Sequence, residues 1–141
     1  MKLEALTREG ISEEYPVETG PVISFIPVFR KMTEEILEGS EQELIATKFH
    51  NTVISAITAT VSAIREKFPL EKVVLSGGVF QNRYLVEHLV KRLKEKKFNV
   101  YLHAAVPPND GGLALGQLMI AAKRREIYVF GRTGEGDQRR R

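Results

Sequence analysis

The chain has 141 residues and no cysteine or tryptophan. Without cysteine there is no disulfide, no thiolate zinc site and no cysteine nucleophile. A metal here would have to use oxygen or imidazole ligands. Histidine is scarce as well: His50, His88 and His103 are scattered, with no pair spaced i, i+4, so they make no metal site by themselves. No apolar run approaches the length of a bilayer span, and the first ten residues, MKLEALTREG, lack the apolar stretch of a secretory signal. A cytoplasmic location is the expectation. The three arginines that end the chain account for the whole net charge of +3. The body is therefore neutral, which argues against a nucleic-acid-binding surface spread over the fold.

What is present reads as one α/β domain. Lys2 to Glu9 is compatible with a short helix, and Glu13 to Pro27, with three prolines, reads as irregular, with Val22 to Ile26 a candidate short strand. Val28 to Leu37 is expected to be helical, with Val28, Met32, Ile36 and Leu37 inward, and Gly39 is a C-cap candidate. Ser40-Glu41-Gln42-Glu43 has the pattern of a capping box. Leu44, Ile45, Phe49, Val53, Ile57, Val61 and Ile64 then recur at helical spacing until Pro69. That helix is about 40 Å long at 1.5 Å per residue, enough to span the domain as a spine. Lys72 to Leu75 reads as a strand of the kind buried on both faces, Arg83 to Lys96 as a helix with Leu85, Leu89, Val90 and Leu93 inward, and Phe98 to His103 as a strand. Strand, helix and strand so spaced predict a βαβ unit with parallel strands. A last helix is expected over Leu113 to Arg124. The domain proper would end near residue 125, and 126–141 would be a tail, disordered from Gly131, with Ile127 to Phe130 a strand or adhesive edge. Two firm strands leave unpaired edges, which points to pairing with another chain or with a second copy.

Two glycine pairs follow the two strands. In Leu75-Ser76-Gly77-Gly78-Val79-Phe80-Gln81-Asn82 the glycines allow positive φ and close approach. The helix behind them offers unpaired amides to an anion, and Asn82 carries donors and acceptors suited to a ribose or a base edge. A plain turn with Asn82 as helix cap explains the same residues. In Pro107-Pro108-Asn109-Asp110-Gly111-Gly112 the prolines stiffen the approach. Asp110 is then either a helix cap or a carboxylate placed to hold a cation beside a phosphate. Both loops are expected at the carboxyl edge of the sheet, where α/β folds bind ligands. Neither fits a Walker loop, since no GK[ST] follows. His50 reads as a packing residue, His88 as solvated, and His103 as the only histidine near the proposed site.

Together, LSGGVFQNRYL and VPPNDGGLALGQ, with KFHNTV on the long helix, resemble the HypF carbamoyltransferase family of NiFe-hydrogenase maturation over about Lys2 to Arg124. A more distant resemblance is to the tRNA threonylcarbamoyl-transferase family. The resemblance implies the C-terminal half of an actin/sugar-kinase/chaperone-like nucleotide-binding domain, helix-rich with few parallel strands. It implies transfer of a carbamoyl group from carbamoyl-adenylate, made from ATP, to the C-terminal cysteine of a HypE-like partner. Gly77, Gly78, Asn82, Gly111 and Gly112 would hold the nucleotide, and Asp110 would be one ligand of a divalent metal (Fe, Zn or Mg). The family's acylphosphatase, zinc-finger and adenylate-forming domains, and the histidine pair of the metal site, have no counterpart here. The chain is therefore expected to be a fragment or split product, inactive alone, that pairs with a complementary transferase half or with itself. A non-catalytic interaction module with a vestigial nucleotide site is the competing expectation.

Overall fold

The computed structural model describes residues 2–18, 20, 22–104, 106 and 109–132, with the backbone alone for 126–132. The chain divides into two compact units, 1–102 and 103–141.

The first unit is built on α2 (Gln42–Lys67), with α1 (Ile26–Leu37), α3 (Arg83–Glu95) and a parallel pair of strands, β1 (Lys72–Leu75) and β2 (Asn99–Leu102). The expected βαβ unit is observed, in the register Lys72 to Asn99 through Leu75 to Leu102. Its core joins Ile54 of α2, Leu75 of β1, Tyr84, Leu85, Leu89 and Leu93 of α3, and Phe98. Within this unit, and among the described residues, one face of the sheet is covered. Leu75 is buried but Val74 is 68% exposed, as is half of its register partner Tyr101. The expectation of a strand buried on both faces is therefore corrected to a sheet with one open side.

The N-terminal part departs from expectation in several places. The helix expected at Lys2 to Glu9 is a single 3₁₀ turn, Glu4–Leu6. Val22 to Ile26 is not a strand: Glu18 and Ser24 form an isolated antiparallel bridge, and α1 begins at Ile26. The inner face of α1 runs through Val28 and Glu35, whereas Ile36 and Leu37 are 60% and 83% exposed. Gly39 does end α1. It has φ of 79°, Ser40 N–H donates to the Glu35 carbonyl and Gly39 N–H to the Ile36 carbonyl, which is a Schellman motif. That motif commits the Ser40 amide. The α2 N-cap is then Glu41, with no side-chain cap bond, and the capping box does not form.

The buried face of α2 is largely polar. Thr47, His50, Asn51, Thr52 and Thr58 are buried, while much of the apolar stripe is half-exposed. Segment 8–15 runs along this face without regular structure and borrows its partners there. Arg8 N–H donates to Thr47 Oγ1 (2.9 Å), Tyr15 N–H to Thr52 Oγ1 (2.7 Å), and Asn51 Nδ2 to the Ile11 and Glu13 carbonyls. Tyr15, Glu35 and Lys48 close the other side. Tyr15 Oη donates to Glu35 Oε2 (2.6 Å), Lys48 Nζ to Glu35 Oε1 (2.5 Å), and the Lys48 ammonium lies 4.6 Å from the centre of the Tyr15 ring. Burial alone would raise the Glu35 carboxyl, but the hydrogen bonds from Lys48 and Tyr15, and the Lys48 charge, hold it below the usual carboxylate range.

In the second unit, a 3₁₀ turn, Asp110–Gly112, leads into α4 (Leu113–Arg132). The helix runs well past Arg124, so residues 127–130 are helical rather than a strand. Disorder was expected from Gly131, but Gly131 and Arg132 end this helix; the remainder of that stretch, 133–141, lies outside the described residues, as do Pro107 and Pro108. No helix among the described residues is long and apolar enough to cross a membrane.

Two stability outcomes follow from this packing. Glu35→Ala removes the centre of a buried charged cluster and should cost about 3 kcal/mol in urea denaturation at pH 7. A carboxyl lowered on folding contributes fully above its unfolded pKa of about 4.3 and loses that contribution as pH falls through the lower folded value. The gap between wild type and Glu35→Ala should therefore close below about pH 4; a gap that persists there would show that the charge is not what stabilises. Separately, Lys97 closes α3 at φ of 63°, with Phe98 N–H donating to the Leu93 carbonyl. Lys97→Gly should raise stability by about 0.5–1 kcal/mol, read from the denaturation midpoint.

Candidate functional site

The glycine loop begins where β1 ends at Leu75. Gly77 has φ of 114°, a conformation that side chains oppose. Gly78 opens a 3₁₀ turn, Gly78–Gln81, without positive φ. A methyl group built on either glycine meets nothing within 4 Å. Gly77 is thus explained by the turn. The fold makes no such demand at Gly78, where the backbone faces open space.

Asn82 ends the loop and caps α3: Oδ1 accepts from Leu85 N–H at 2.9 Å. The side chain is buried, with only 4% of the residue exposed, and Nδ2 lies 2.7 Å from His50 Nε2. His50 Nδ1 lies 2.7 Å from the Ala46 carbonyl oxygen, which can only accept. A neutral His50 therefore carries its hydrogen on Nδ1 and accepts from Asn82 at Nε2. These bonds form one line from the backbone of α2 to the first turn of α3. Residue pattern revealed the cap but not the link. His50 is a packing residue with a directional task, and its signal was a histidine and an asparagine in the middle of an otherwise regular helix. His88 is not simply solvated: it stacks on Tyr84 with ring centroids 4.1 Å apart and lies 3.2 Å from Glu9 Oε1.

A pocket of about 180 Å³ lies beside this line, with Phe49, His50, Val79 and Asn82 among its walls and Glu4 at the same lining. Glu4 Oε1 accepts from the Arg83 amide at 2.5 Å, so the start of α3 receives a carboxylate from the beginning of the chain. That hydrogen bond, ahead of the opposing effect of burial, holds the Glu4 carboxyl below its ordinary value. Nothing in the local sequence pattern around Glu4 announces this contact. A larger groove of about 600 Å³ lies along the C-terminal half of α2, walled by Ala59, Ala63, Ile64 and Phe68 together with Thr60 and Lys67.

Asp110, Gly111 and Gly112 belong to the second unit, whereas Gly77, Gly78 and Asn82 belong to the first. Asn109 takes the capping role that Asp110 was a candidate for: its Oδ1 accepts from Gly111 N–H at 3.0 Å. Asp110 itself is exposed, as is His103. Among the described residues, no group of three or more histidine, aspartate or glutamate side chains comes together to hold a metal ion. Asp110 by itself is one donor, short of the several protein ligands that bound zinc takes.

Residues 1–117 match the family model described as "Carbamoyltransferase, Kae1-like Domain, second subdomain". Carbamoyltransferase HypF of Synechocystis sp. is 35% identical over 130 residues, covering 88% of this chain and 16% of that protein. A crystal structure of full-length HypF in the phosphate- and nucleotide-bound form superposes with a TM-score of 0.78 at 41% identity, covering 86% of this chain and 17% of the other. HypF of T. kodakarensis gives a TM-score of 0.71 at 29% identity, with 91% of this chain and 17% of the other covered. The chain thus spans about a sixth of the length of these relatives. With most of its length matched by the family model and a curated relative at 35% identity, the chain belongs to the carbamoyltransferase HypF family, as the second subdomain of its Kae1-like domain.

Proposed function

We propose that this chain supplies the glycine-loop part of an adenine-nucleotide site within a carbamoyl-transfer domain. The observation that carries the reading is Gly78. Neither its φ nor its packing calls for glycine, yet it lies between a strand end and the first turn of α3, where a ligand backbone or phosphate can approach closely. A relative 41% identical was solved with phosphate and nucleotide bound, which supports the same chemistry here. The nucleotide would be ATP or, in the reaction itself, carbamoyl-adenylate, and the group transferred would pass to a cysteine of a HypE-like partner in hydrogenase maturation. An actin/sugar-kinase-like frame and a cytoplasmic location belong to the same reading.

In this scheme the residues of the chain bind and orient; they do not react. Asn82, held by His50 and by the Leu85 amide, fixes the end of the loop, and its contribution to the nucleotide is the rigidity of Gly77–Gln81. Gly111 and Gly112 would allow close approach at the second loop. Asp110 would be one metal ligand, with the others outside this chain, and no step is assigned to the metal. The open apolar side of the sheet, Val74 and Tyr101, and the groove along α2 suit a complementary transferase half. A second copy of the chain is the alternative occupant.

The two glycines separate binding from folding. Gly78→Ala should leave the denaturation midpoint within error of wild type and weaken AMP or ADP binding tenfold or more by calorimetry. Gly77→Ala should lower stability by roughly 1 kcal/mol or more, because alanine must adopt positive φ. Equal nucleotide affinity in Gly78→Ala and wild type would sink the loop assignment.

A further inference from the structure

His50 uses both ring nitrogens, and packing asks for neither. The ring is buried edge-on to Tyr84, with 5.5 Å between centroids, where an apolar side chain of similar size would fill the same space. Yet Nδ1 faces the Ala46 carbonyl and Nε2 the Asn82 carboxamide, both at 2.7 Å. Asn82 is committed to the same degree: Oδ1 takes the Leu85 amide, which leaves Nδ2 for the ring. An aspartate would cap α3 as well, but it brings no donor to the ring. The pair fits together in one way. The Ala46 carbonyl fixes the hydrogen on Nδ1, so Nε2 accepts, so Nδ2 turns to the ring and Oδ1 to the helix. With the hydrogen on Nε2, two donors would face each other, and turning the carboxamide over would give up the cap of α3.

The lock continues into the glycine loop through the backbone. Asn82 N–H donates to the Val79 carbonyl at 3.1 Å, and Phe80 N–H to the Gly77 carbonyl at 3.1 Å. These two bonds close the turn that holds Gly78. His50, Val79 and Asn82 border the same cavity, so ring, cap and turn meet beside one open space. A shift of the Asn82 carboxamide is passed through this turn to the backbone at Gly78. We propose that His50 is a positioning residue for the ligand of this loop: its Nδ1–H tautomer fixes Asn82, and Asn82 fixes the turn at Gly78. His50 acts through Asn82, as a neutral group that steadies the loop without adding charge beside an anion. This inference rests on the nucleotide reading of the glycine loop and deepens it.

AMP and ADP, titrated by calorimetry into wild type, His50→Gln and His50→Asn, test the role, with urea denaturation of each protein alongside. Glutamine places an oxygen near the position of Nε2 and keeps an acceptor for Asn82, whereas asparagine is too short to reach it. His50→Gln should bind AMP within about twofold of wild type, and His50→Asn roughly fivefold more weakly, the loss that one neutral hydrogen bond allows. A role in packing alone makes affinity follow stability; the positioning role makes it follow the acceptor. The ring nitrogen spectrum of wild type should show the hydrogen of His50 on Nδ1, a readout that needs no variant to fold. A hydrogen on Nε2, equal AMP affinity in His50→Asn and wild type, or His50→Gln as weak as His50→Asn overturns the positioning role and leaves the loop assignment standing. Wild type that binds neither AMP nor ADP at millimolar concentration overturns the loop assignment, and the positioning role with it.

Discussion

The polar inner face of α2 is the constraint on which the rest of the first unit depends. A segment without regular structure, residues 8–15, is packed against a helix, and its backbone groups need partners wherever water is excluded. Thr47 and Thr52 answer by using each hydroxyl twice. Each donates to the carbonyl four residues back, Glu43 or Lys48, and accepts an amide from the segment. Such back-bonding is mildly unfavourable for an isolated helix. It becomes favourable here because the same oxygen satisfies a second chain that would otherwise be left with unpaired donors. Apolar residues at these positions would bury more area and leave that segment without a place to lie.

The same face carries the link to the glycine loop. His50 sits between Thr47 and Asn51 on α2 and has one ring nitrogen on its own helix and the other on Asn82. Asn51 in turn accepts from Tyr84 Oη of α3. Two polar contacts therefore register α2 against the first turn of α3, above an apolar core that could slide without them. Among the described residues no buried side-chain nitrogen or oxygen lacks a partner. A network so completed specifies one arrangement, whereas a partly satisfied one would be a liability in a low dielectric.

How much of this was legible in the residues depends on how local its cause is. The strands at 72–75 and 99–102 and the helix between them rest on short apolar patterns and flanking glycines, and they stand within a residue or two of where the pattern puts them. The inner face of α2 was not legible, because Thr47, Asn51 and Thr52 are buried through partners some 37–40 residues away. The capping box at Ser40 failed for a related reason: the amide it needs belongs to the end of α1. Residues 127–130, β-branched and aromatic, suggested a strand, but they continue a helix begun at Leu113, and extending a helix is far easier than starting a strand without a neighbour. The loop was placed correctly in the chain. The direction of the Asn82 carboxamide and the arrival of Glu4 required the fold.

The start of α3 shows why completeness and binding pull against each other. A helix N-terminus attracts anions because its first amides lack partners. Here Asn82 and Glu4 supply partners from within the chain, so the folded unit does not depend on a ligand to satisfy that end. The loop in front of that end is shaped by Gly77, whose positive φ sets the turn, while at Gly78 the backbone is left open. Its form is thus fixed by the turn and by the Asn82 cap rather than by anything bound at the helix end.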